Sequence, residues 1–479
     1  MPAALVCFRD DLRLSDNPAL STALDEGMDI VPLFTWHAAE QCGEAPTGAA
    51  RWWLHNALED LDEAFRERGS HMAFMKGPAL DCILRAAQKS KARDVYWNRR
   101  DSPALARLDD KLEEQLREAG LRVHTSESAN LHSAEALLHK GNHYRVFRPY
   151  YEAARKTAVR KSCSNAPNKL NASPFAGDGP VDTLGLSTHL NWTAGIRKTW
   201  APTRAGLELL LNELPFVVRD YDLWRDIPYR RATSRLSPYL RFGQISACEL
   251  LQRVHSQCEQ CPGMDAFVRQ LYWREFARHI LHYNPALPGK AMDERFDNIC
   301  WREDPEQLAR WQEGRTGFPI VDAGMRQLWQ TGWMHNRVRM IAGSFLVKDL
   351  LMDWRKGAAW FMNTLVDADT ANNSYGWQWV AGCGADAAPY FRVFNPVTQS
   401  RKFDPDGHYI RRFVPELANM PNKWIHAPWE APLQELREAE VELGKDYPLP
   451  MLDHSKARER ALAAYKSAKS KGASDNFHV

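Results

Sequence analysis

The sequence predicts an α/β N-terminal domain with a parallel sheet, followed by an all-α C-terminal domain. Over the first 130 residues, short apolar stretches alternate with longer stretches of helical period. This strand–helix alternation is typical of a parallel sheet covered by helices on both faces. From about residue 206 the apolar residues recur at helical spacing only. A chain of 479 residues is also long for a single domain.

Five apolar stretches in the N-terminal part are predicted strands, and they span residues 4–9, 29–36, 71–77, 94–100 and 121–126. Residues 52–69 and 103–120, which lie between strands, are predicted helices. In the second helix, Pro103 suits the first turn and Gly120 suits the position after the end. No G-x-G-x-x-G motif follows the first strand, so a conventional dinucleotide site is not expected there.

The connection between the two predicted domains is marked by its composition. From about residue 156 to 205 the chain is rich in Ser, Asn, Pro and Gly and has no sustained period, as expected for a segment that lies over a surface. We therefore predict an α/β domain at 1–130, an interdomain linker at 131–205, a helical domain at 206–472 and a tail at 473–479.

The composition is that of a cytoplasmic protein without a membrane span. The hydrophobic fraction is 44% and the charged fraction 25%, as in ordinary globular proteins. No apolar run reaches the roughly 18 residues of a membrane span, and charged residues interrupt the N-terminus where a signal peptide needs its apolar run. Only Cys258 and Cys261 form a C-x-x-C pair, without the partners of a zinc site, so no metal site is predicted.

A basic and aromatic segment opens the helical domain. Residues 219–246 place arginines among aromatic residues, a combination that suits contact with phosphates and stacking on bases. Within it, residues 233–237 offer three hydroxyls and a guanidinium beside a predicted helix start, where free N–H groups favour an anion. The alternative interpretation is a helix cap on a solvated basic face.

Two further helices carry unusual side chains on one face. Gln270 and Trp273 are three residues apart on the first helix. The second presents an indole, an amide, a guanidinium and a thioether at Trp333, Asn336, Arg337 and Met340. Core packing explains each pattern by itself, but together they indicate a cavity that stacks a flat ligand and hydrogen-bonds its edge.

The stretch DADTANNSYGWQW, residues 367–379, combines carboxylates, amides and indoles. Asp367 is costly to bury alone, and Arg339 is its predicted partner. Asp369 and Asn373 suit the polar edge of a heterocycle, because an amide donates or accepts as the ring changes its protonation. The combination indicates a redox-active ring. A hydrolase with paired acids is the competing interpretation, but it needs a nucleophile or a set of metal ligands, and neither is found.

Over nearly its whole length the chain resembles the photolyase and cryptochrome flavoproteins, most closely the microbial photolyases that repair cyclobutane pyrimidine dimers. The motifs that are similar in order and spacing are VCFRDDLRLSDNPAL, YRVFRPYY, TSRLSPYLRFGQIS, WREFARH, GFPIVDAGMRQL, TGWMHNRVRMIAGSFLVKDLLMDWR and DADTANNSYGWQW through DAAPYFRVFNPVTQSRKFDPDG. The resemblance implies a C-terminal FAD-binding domain and light-driven electron transfer from reduced FAD to a flipped-out dimer. It also implies UV-damaged DNA as the partner and a monomeric protein.

The resemblance assigns roles to individual residues. It implies that the FAD ligands are Tyr221, Thr233, Ser234, Arg235, Leu236, Ser237, Arg339, Asp367, Ala368, Asp369 and Asn373, with Asn373 facing the flavin N5. It implies that the tryptophans that reduce the flavin under light are Trp377, Trp354 and Trp301, in order from the flavin to the surface. The residues expected around the dimer are Trp273, Trp379, Gln270, Asn336 and Met340. Those expected at the DNA backbone are Arg225, Arg337 and Gln399.

One residue departs from the pattern of dimer photolyases, which usually carry Glu where this chain has Gln270. A glutamine hydrogen-bonds a pyrimidine edge but cannot donate and recover a proton as a carboxylic acid can. Gln is also a feature of (6-4) photolyases and animal cryptochromes, but those repair enzymes carry two histidines where this chain has Asn336 and Met340. We therefore expect dimer repair with a lower yield. The alternative is a cryptochrome-like blue-light receptor with little or no repair.

A second departure concerns the antenna chromophore. Asp101 lies near the acid expected of a folate site, but the region around Lys290 lacks the Cys-Lys pair of some relatives. Methenyltetrahydrofolate and a deazaflavin or flavin therefore both remain open as antenna. The chain also lacks the long C-terminal extension that cryptochromes use for signalling, and we expect this to favour repair.

Overall fold

The computed structural model describes residues 2–127, 130–160, 165–187, 191–387 and 392–474. The chain forms two compact units, and each consists of several segments. The first unit comprises Met1–Arg219, Ser234–Pro285 and Val366–Asp369, and the second comprises Asp220–Thr233, Ala286–Leu365 and Thr370–Val479. The domain boundaries predicted after residues 130, 205 and 472 remain a proposal, and residues 475–479 of the predicted tail lie outside the described residues.

The first unit contains a parallel sheet of five strands. The strands are β1 (Ala3–Cys7), β2 (Asp29–Trp36), β3 (Ala73–Lys76), β4 (Asp94–Asn98) and β5 (Arg122–Ser126). Their order in the sheet is β3-β2-β1-β4-β5, and the register of β1 on β2 runs from Ala3 opposite Asp29 to Cys7 opposite Leu33. All five predicted strands are confirmed.

The helices account for most of the remaining described residues. In chain order they are α1 (Pro18–Asp25), α2 (Gly48–Arg66), α3 (Ala79–Ser90), α4 (Pro103–Glu118), α5 (Phe147–Ala154), α6 (Ala194–Thr199), α7 (Arg204–Arg219), α8 (Tyr221–Trp224), α9 (Ser237–Arg241), α10 (Ala247–Gln257), α11 (Pro262–Tyr283), α12 (Pro305–Gln312), α13 (Pro319–Thr331), α14 (Asn336–Ser344), α15 (Trp354–Thr364), α16 (Thr370–Ala381), α17 (Pro396–Phe403), α18 (His408–Phe413), α19 (Leu433–Glu438) and α20 (His454–Ser474). As predicted, α4 begins at Pro103. Gly120, just past its end, has a φ of +85° that suits a glycine.

Both faces of the sheet are buried, as predicted. Successive side chains of a strand point to opposite faces, and Leu5 and Val6 of β1 are both buried. Leu5 shares a core cluster with Ile83 of α3 and other apolar residues of α3 and α4. On the opposite face, toward which Val6 points, Phe8 packs edge-on against Phe65 of α2, with ring centroids 5.6 Å apart.

The segment predicted to connect the domains has little regular structure. In its described part, the elements are α5, α6, the first residues of α7 and short 3-10 turns at Val181–Leu184 and Asn191–Thr193. It is nevertheless attached to the first unit, because the Asp178 N–H donates to the Phe74 carbonyl of β3 at 2.9 Å.

The second unit is helical wherever the structure describes it, apart from loops, so the predicted all-α class is confirmed. A π-helical turn at Phe345–Asp349 joins α14 to the segment before α15. The core includes Trp311 and Phe345, which are fully buried. No helix of the described chain is long and apolar enough to cross a bilayer.

Candidate functional site

The turn before α9 in the first unit is built from a strained backbone. Arg235 has a φ of +56°, in the left-handed region that costs a residue other than glycine about 1 kcal/mol or more. Its guanidinium lies 4.1 Å from the ring centroid of Trp200, over the indole face. The next residue, Leu236, is buried. The left-handed backbone at Arg235 and the buried side chain of Leu236 together fix the direction in which the Ser237 side chain points.

The carboxylate of Asp367 is held by that hydroxyl. Ser237 Oγ donates to Asp367 Oδ2 at 2.7 Å. The neighbouring Ala368 carbonyl accepts from Arg241 Nε at 2.8 Å. Arg241 also pairs with Asp10 at 2.8 Å. The short segment Val366–Asp369 is therefore fixed to α9 through one side chain and one backbone carbonyl.

Asp369 is partly neutralised by an arginine of α11. Arg278 Nη2 lies 3.7 Å from Asp369 Oδ2 and Nη1 lies 2.6 Å from Asp101. Burial by itself lowers the pKa of Arg278, but Asp101 and Asp369 outweigh it and raise that pKa. A permanently charged guanidinium therefore stands between two acids, and Asp369 is not buried alone.

Gln270 and Trp273 lie on α11, as predicted. Gln270 is half-buried, and its Nε2 donates to the Ala266 carbonyl one turn earlier at 3.2 Å. Trp273 stacks on Phe147 with centroids 3.4 Å apart and planes 9° apart. Phe147 therefore covers one face of the Trp273 indole.

In the second unit, α14 brings three predicted residues together. Asn336 is exposed and Met340, one turn later, is half-buried. Arg337 lies between them in sequence, and its Nη1 is 3.7 Å from the Met340 sulfur. Its Nη2 pairs with Asp226 at 2.7 Å, and its guanidinium lies 4.5 Å from the ring centroid of Phe403. Arg337 is therefore pre-positioned beside the amide and the thioether.

The other two residues predicted at the DNA backbone also belong to the second unit. Arg225 follows α8 directly, and its guanidinium carbon lies 5.9 Å from the ring centroid of Tyr221. Tyr221 is buried, and this burial raises its pKa to about 12. Gln399 is half-buried on α17, the helix that also carries Phe403 beneath Arg337.

Asn373 lies on α16 with a fixed amide. Its Nδ2 donates to the Ala358 carbonyl of α15 at 3.0 Å, so Oδ1 is the end that can accept from a ligand. Arg339, predicted as the partner of Asp367, donates from Nε to the Met334 carbonyl at 2.7 Å. The pairing of Arg339 with Asp367 remains a prediction.

The three tryptophans predicted to form the relay lie in the second unit. Trp377 on α16 is 4% exposed and Trp354 at the start of α15 is fully buried, whereas Trp301 is half-buried. Trp301 is the most exposed of the three, whereas burial does not separate Trp377 from Trp354, so the predicted order of the relay remains a prediction. Trp379, expected beside the dimer, is half-buried on the same helix as Trp377.

Several residues of these arrangements were not found from the sequence. Trp311 and Phe361 pack edge-on against Trp377, with centroids 6.3 Å and 4.9 Å away. Their apolar spacing signalled only core packing. Arg278 lies within the motif WREFARH, but nothing in the sequence pairs it with an acid at 369. Asp226 is likewise one acid among many until Arg337 is placed beside it.

The sheet of the first unit carries a cavity of about 310 Å³. Its lining includes aromatic side chains and charged groups that follow the carboxyl ends of the strands, among them Phe34, Trp36, Arg9, Glu40, Arg100 and Phe242. Ligands of open parallel sheets bind at this edge, where the strand order reverses. A second cavity of about 340 Å³ is lined by Asp101 and by residues of α11. Lys290, the other residue considered for a folate antenna, pairs with Glu294 at 2.7 Å.

The chain is similar to known proteins over nearly its whole length. A family model described as DNA photolyase matches residues 4–169, and one described as the FAD binding domain of DNA photolyase matches residues 267–467. The deoxyribodipyrimidine photo-lyase of Agrobacterium fabrum is 42% identical over 97% of this chain and 98% of its own length. Cryptochrome-2 of Arabidopsis thaliana is 34% identical over 95% of this chain and 77% of its own length. The crystal structure of a bacterial class III photolyase from Agrobacterium tumefaciens superposes with a TM-score of 0.94 at 41% identity and covers 98% of both chains.

Proposed function

Because the chain belongs to the photolyase and cryptochrome family of flavoproteins, we propose that it repairs cyclobutane pyrimidine dimers in DNA under light. The observation that supports this proposal best is the start of α14. There, Asn336 and Met340 lie one turn apart beside an arginine that is already held in place. An amide and a thioether suit the polar edge and the apolar ring of a dimer. The two histidines expected of (6-4) repair do not occupy these positions.

The residues described above fit an FAD cofactor. The half-buried acids Asp367 and Asp369, which are held by Ser237 and Arg278, can accept from the N–H and O–H groups of a flavin and its ribityl chain. Asn373 presents Oδ1 because its nitrogen is already bonded. When bound, reduced FAD supplies the electron that splits the cyclobutane ring and recovers it afterwards.

The proposed FAD ligands are those that the sequence predicts, namely Tyr221, Thr233, Ser234, Arg235, Leu236, Ser237, Arg339, Asp367, Ala368, Asp369 and Asn373. The protein positions and polarises the cofactor. We propose that an external reductant reduces the flavin under light by electron transfer through Trp377, Trp354 and Trp301. Their burial is in keeping with this role.

On the DNA side, Trp273 and Trp379 are proposed to stack on the flipped-out dimer, with Gln270 at its polar edge. Flipping costs least where base pairing is already damaged, which gives selectivity without reading of sequence. Arg225, Arg337 and Gln399 are proposed to contact the DNA backbone. Contacts of this kind position the duplex and weaken with rising salt.

A cryptochrome-like photoreceptor is the second candidate function. Gln270 favours it, because this position carries an amide where dimer photolyases usually have a carboxylic acid, and the plant cryptochrome above is 34% identical. A photoreceptor retains the flavin and the tryptophans but repairs little or no DNA.

We also propose that an antenna chromophore binds in the 310 Å³ cavity of the first unit. Its aromatic walls suit a planar ring system, while Arg9 and Arg100 in its lining both pair with Asp109. Absorption and mass spectra of the chromophore released from purified protein distinguish a folate from a deazaflavin or flavin.

The test of the main proposal is repair of a thymine oligonucleotide that contains dimers. Purified and chemically reduced protein is illuminated with near-ultraviolet or blue light, and a dark sample and an undamaged oligonucleotide serve as controls. Light-dependent recovery of base absorbance establishes dimer repair. If the flavin is bound and photoreducible but absorbance does not recover, the photoreceptor is the better description.

A further inference from the structure

The helix α17 is short, so contacts with the rest of the second unit hold it in place. It runs for eight residues, Pro396–Phe403, and helices of this length are marginal in water by themselves. It carries Gln399, one of the residues proposed to contact the DNA backbone, at a half-buried position. Ser400 follows directly and is fully buried. The position of Gln399 therefore depends on what Ser400 contacts.

Ser400 is bonded to a buried histidine outside the helix. Its Oγ lies 2.7 Å from Nδ1 of His426, and Nε2 of the same ring lies 3.2 Å from the Pro405 carbonyl oxygen. A carbonyl oxygen only accepts, so Nε2 carries a proton. Burial lowers the pKa of His426, so the ring is neutral near pH 7 and Nδ1 accepts from the Ser400 hydroxyl. One ring thus joins the last turn of α17 to the turn that follows it.

His426 itself belongs to a firmly packed part of the chain. It is 3% exposed, and its neighbours Ile425 and Ala427 are both buried. The Ile425 N–H donates to the Pro421 carbonyl at 3.0 Å, and the Ala427 N–H donates to the Trp424 carbonyl at 3.0 Å. Because its backbone is fixed on both sides, His426 gives Ser400 a fixed partner.

The same helix also supports Arg337. Phe403, three residues after Ser400 and therefore on the same face of α17, is buried. Its ring centroid lies 4.5 Å from the Arg337 guanidinium, which also pairs with Asp226 at 2.7 Å. A rotation or a slide of α17 would therefore move Gln399 and take the aromatic ring away from Arg337.

A second polar contact of α17 lies at the surface. Arg401 Nη2 is 3.6 Å from Glu430 Oε2, and both side chains are about half exposed, so water and salt screen this pair. The bond between Ser400 and His426 is buried, and water does not replace a partner that is lost there. We therefore expect the buried bond, rather than the ion pair, to decide where α17 lies.

We propose that His426 is a positioning residue for DNA recognition, which sets the place of α17 through its bond to Ser400. This inference rests on the proposed function. The bond holds Gln399 and the ring of Phe403 beside Arg337, so that Gln399 and Arg337 meet the DNA backbone together. If His426 only stabilises the core, its loss lowers stability and leaves the affinity of the folded protein for DNA unchanged.

Two substitutions remove the bond from opposite sides, namely Ser400→Ala and His426→Gln. In His426→Gln the amide nitrogen takes the place of Nε2, which keeps the donor toward Pro405. In His426→Asn the amide oxygen takes the place of Nδ1, which keeps the acceptor for Ser400. Tyr447→Phe is the matched control, because it removes another buried hydroxyl of the second unit. That hydroxyl donates to Asp322 at 2.6 Å, and neither residue belongs to α14 or α17.

Affinity for a dimer-containing oligonucleotide is measured in the dark by fluorescence anisotropy, and stability is measured by denaturant unfolding. Ser400→Ala and His426→Gln should each bind about tenfold more weakly than the wild type, the factor expected when a buried polar group loses its partner. The double variant should bind no more weakly than either single variant, because all three lack the same bond. His426→Asn should bind within about threefold of the wild type, because it keeps that bond. Tyr447→Phe should lose stability and bind as the wild type does.

Repair at saturating DNA separates positioning from chemistry. The yield per absorbed photon should be unchanged in Ser400→Ala once all the DNA is bound, because the residues expected around the dimer lie on other helices. Equal affinity of Ser400→Ala and wild type overturns the positioning role, and so does an equal loss of affinity in Tyr447→Phe. If the wild type repairs no dimers, the proposed function fails, and the role in DNA recognition fails with it. If the wild type repairs dimers and Ser400→Ala binds as tightly, only the inference about His426 fails.

Discussion

Replacing Gly357 with Ala should disturb the tryptophan nearest the proposed flavin. Gly357 lies inside α15, and an added Cβ would overlap the indole of Trp377 and come within 2.7 Å of Leu346 Cδ2. Trp377 is only 4% exposed, so its ring cannot swing into solvent to make room. Either the indole or the helix has to move.

The size of the effect follows from two opposing contributions. Overpacking a well-packed core costs about 1–3 kcal/mol, whereas Ala in a helix interior is about 1 kcal/mol more favourable than Gly. The net loss of stability is then about 0–2 kcal/mol by these figures. Gly376, next to Trp377 on α16, is the matched control, because a Cβ there meets no atom within 4 Å. Gly376→Ala should gain about 1 kcal/mol.

The two variants should therefore differ by about 1–3 kcal/mol in the free energy of unfolding, measured in denaturant with flavin content checked. Blue-light photoreduction of the oxidised flavin should be slower in Gly357→Ala and unchanged in Gly376→Ala. If both variants gain stability equally and reduce at the wild-type rate, the packing of Trp377 against α15 is not as described.

Three further predictions concern the relay, the dimer edge and pH. Trp301→Phe should slow photoreduction and leave repair by pre-reduced enzyme intact, so unchanged photoreduction would remove Trp301 from the relay. Gln270→Glu should raise the repair yield per absorbed photon. An equal yield would show that a proton donor at this position has little effect on repair. His335 binds its proton less readily in the folded chain, with a pKa of about 4 against 6.5, so stability is lost as pH falls through that window. At pH 5 the lowered pKa of His335 costs about 2 kcal/mol of folding stability. Wild type should therefore lose about that much more than His335→Asn between pH 7 and pH 5, and parallel losses would contradict the shift.

The fold was predictable where local signals agree. Alternating apolar and helical stretches marked the five strands, and Pro103 and Gly120 marked the two ends of α4 correctly. A helix start was predicted beside residues 233–237, where α9 begins, but the bounds of α8 and α9, of four and five residues, were not predicted, because so few residues carry no periodicity.

The contacts that build the candidate site were less predictable, because they join distant positions. Arg241 meets the Ala368 carbonyl across 127 residues, and one sequence contains no signal for that pairing. The predicted helix faces did place Asn336, Arg337 and Met340 together. They did not reveal Asp226, since an acid at the end of a short helix is ordinary on a surface.

The surroundings of Gln270 also bear on the choice between enzyme and photoreceptor. Its amide nitrogen carries two N–H donors and gives one of them to the Ala266 carbonyl at 3.2 Å. The second N–H remains for a pyrimidine oxygen, and the bond to Ala266 fixes the orientation of the amide.

The amide can thus hydrogen-bond a pyrimidine edge, but it cannot donate and recover a proton as a carboxylic acid can. We expect this difference to lower the yield of repair without abolishing it. Gln270 is therefore compatible with a working photolyase. Gln270→Glu tests only how much the amide costs, whereas the repair assay on the wild type decides between the two functions.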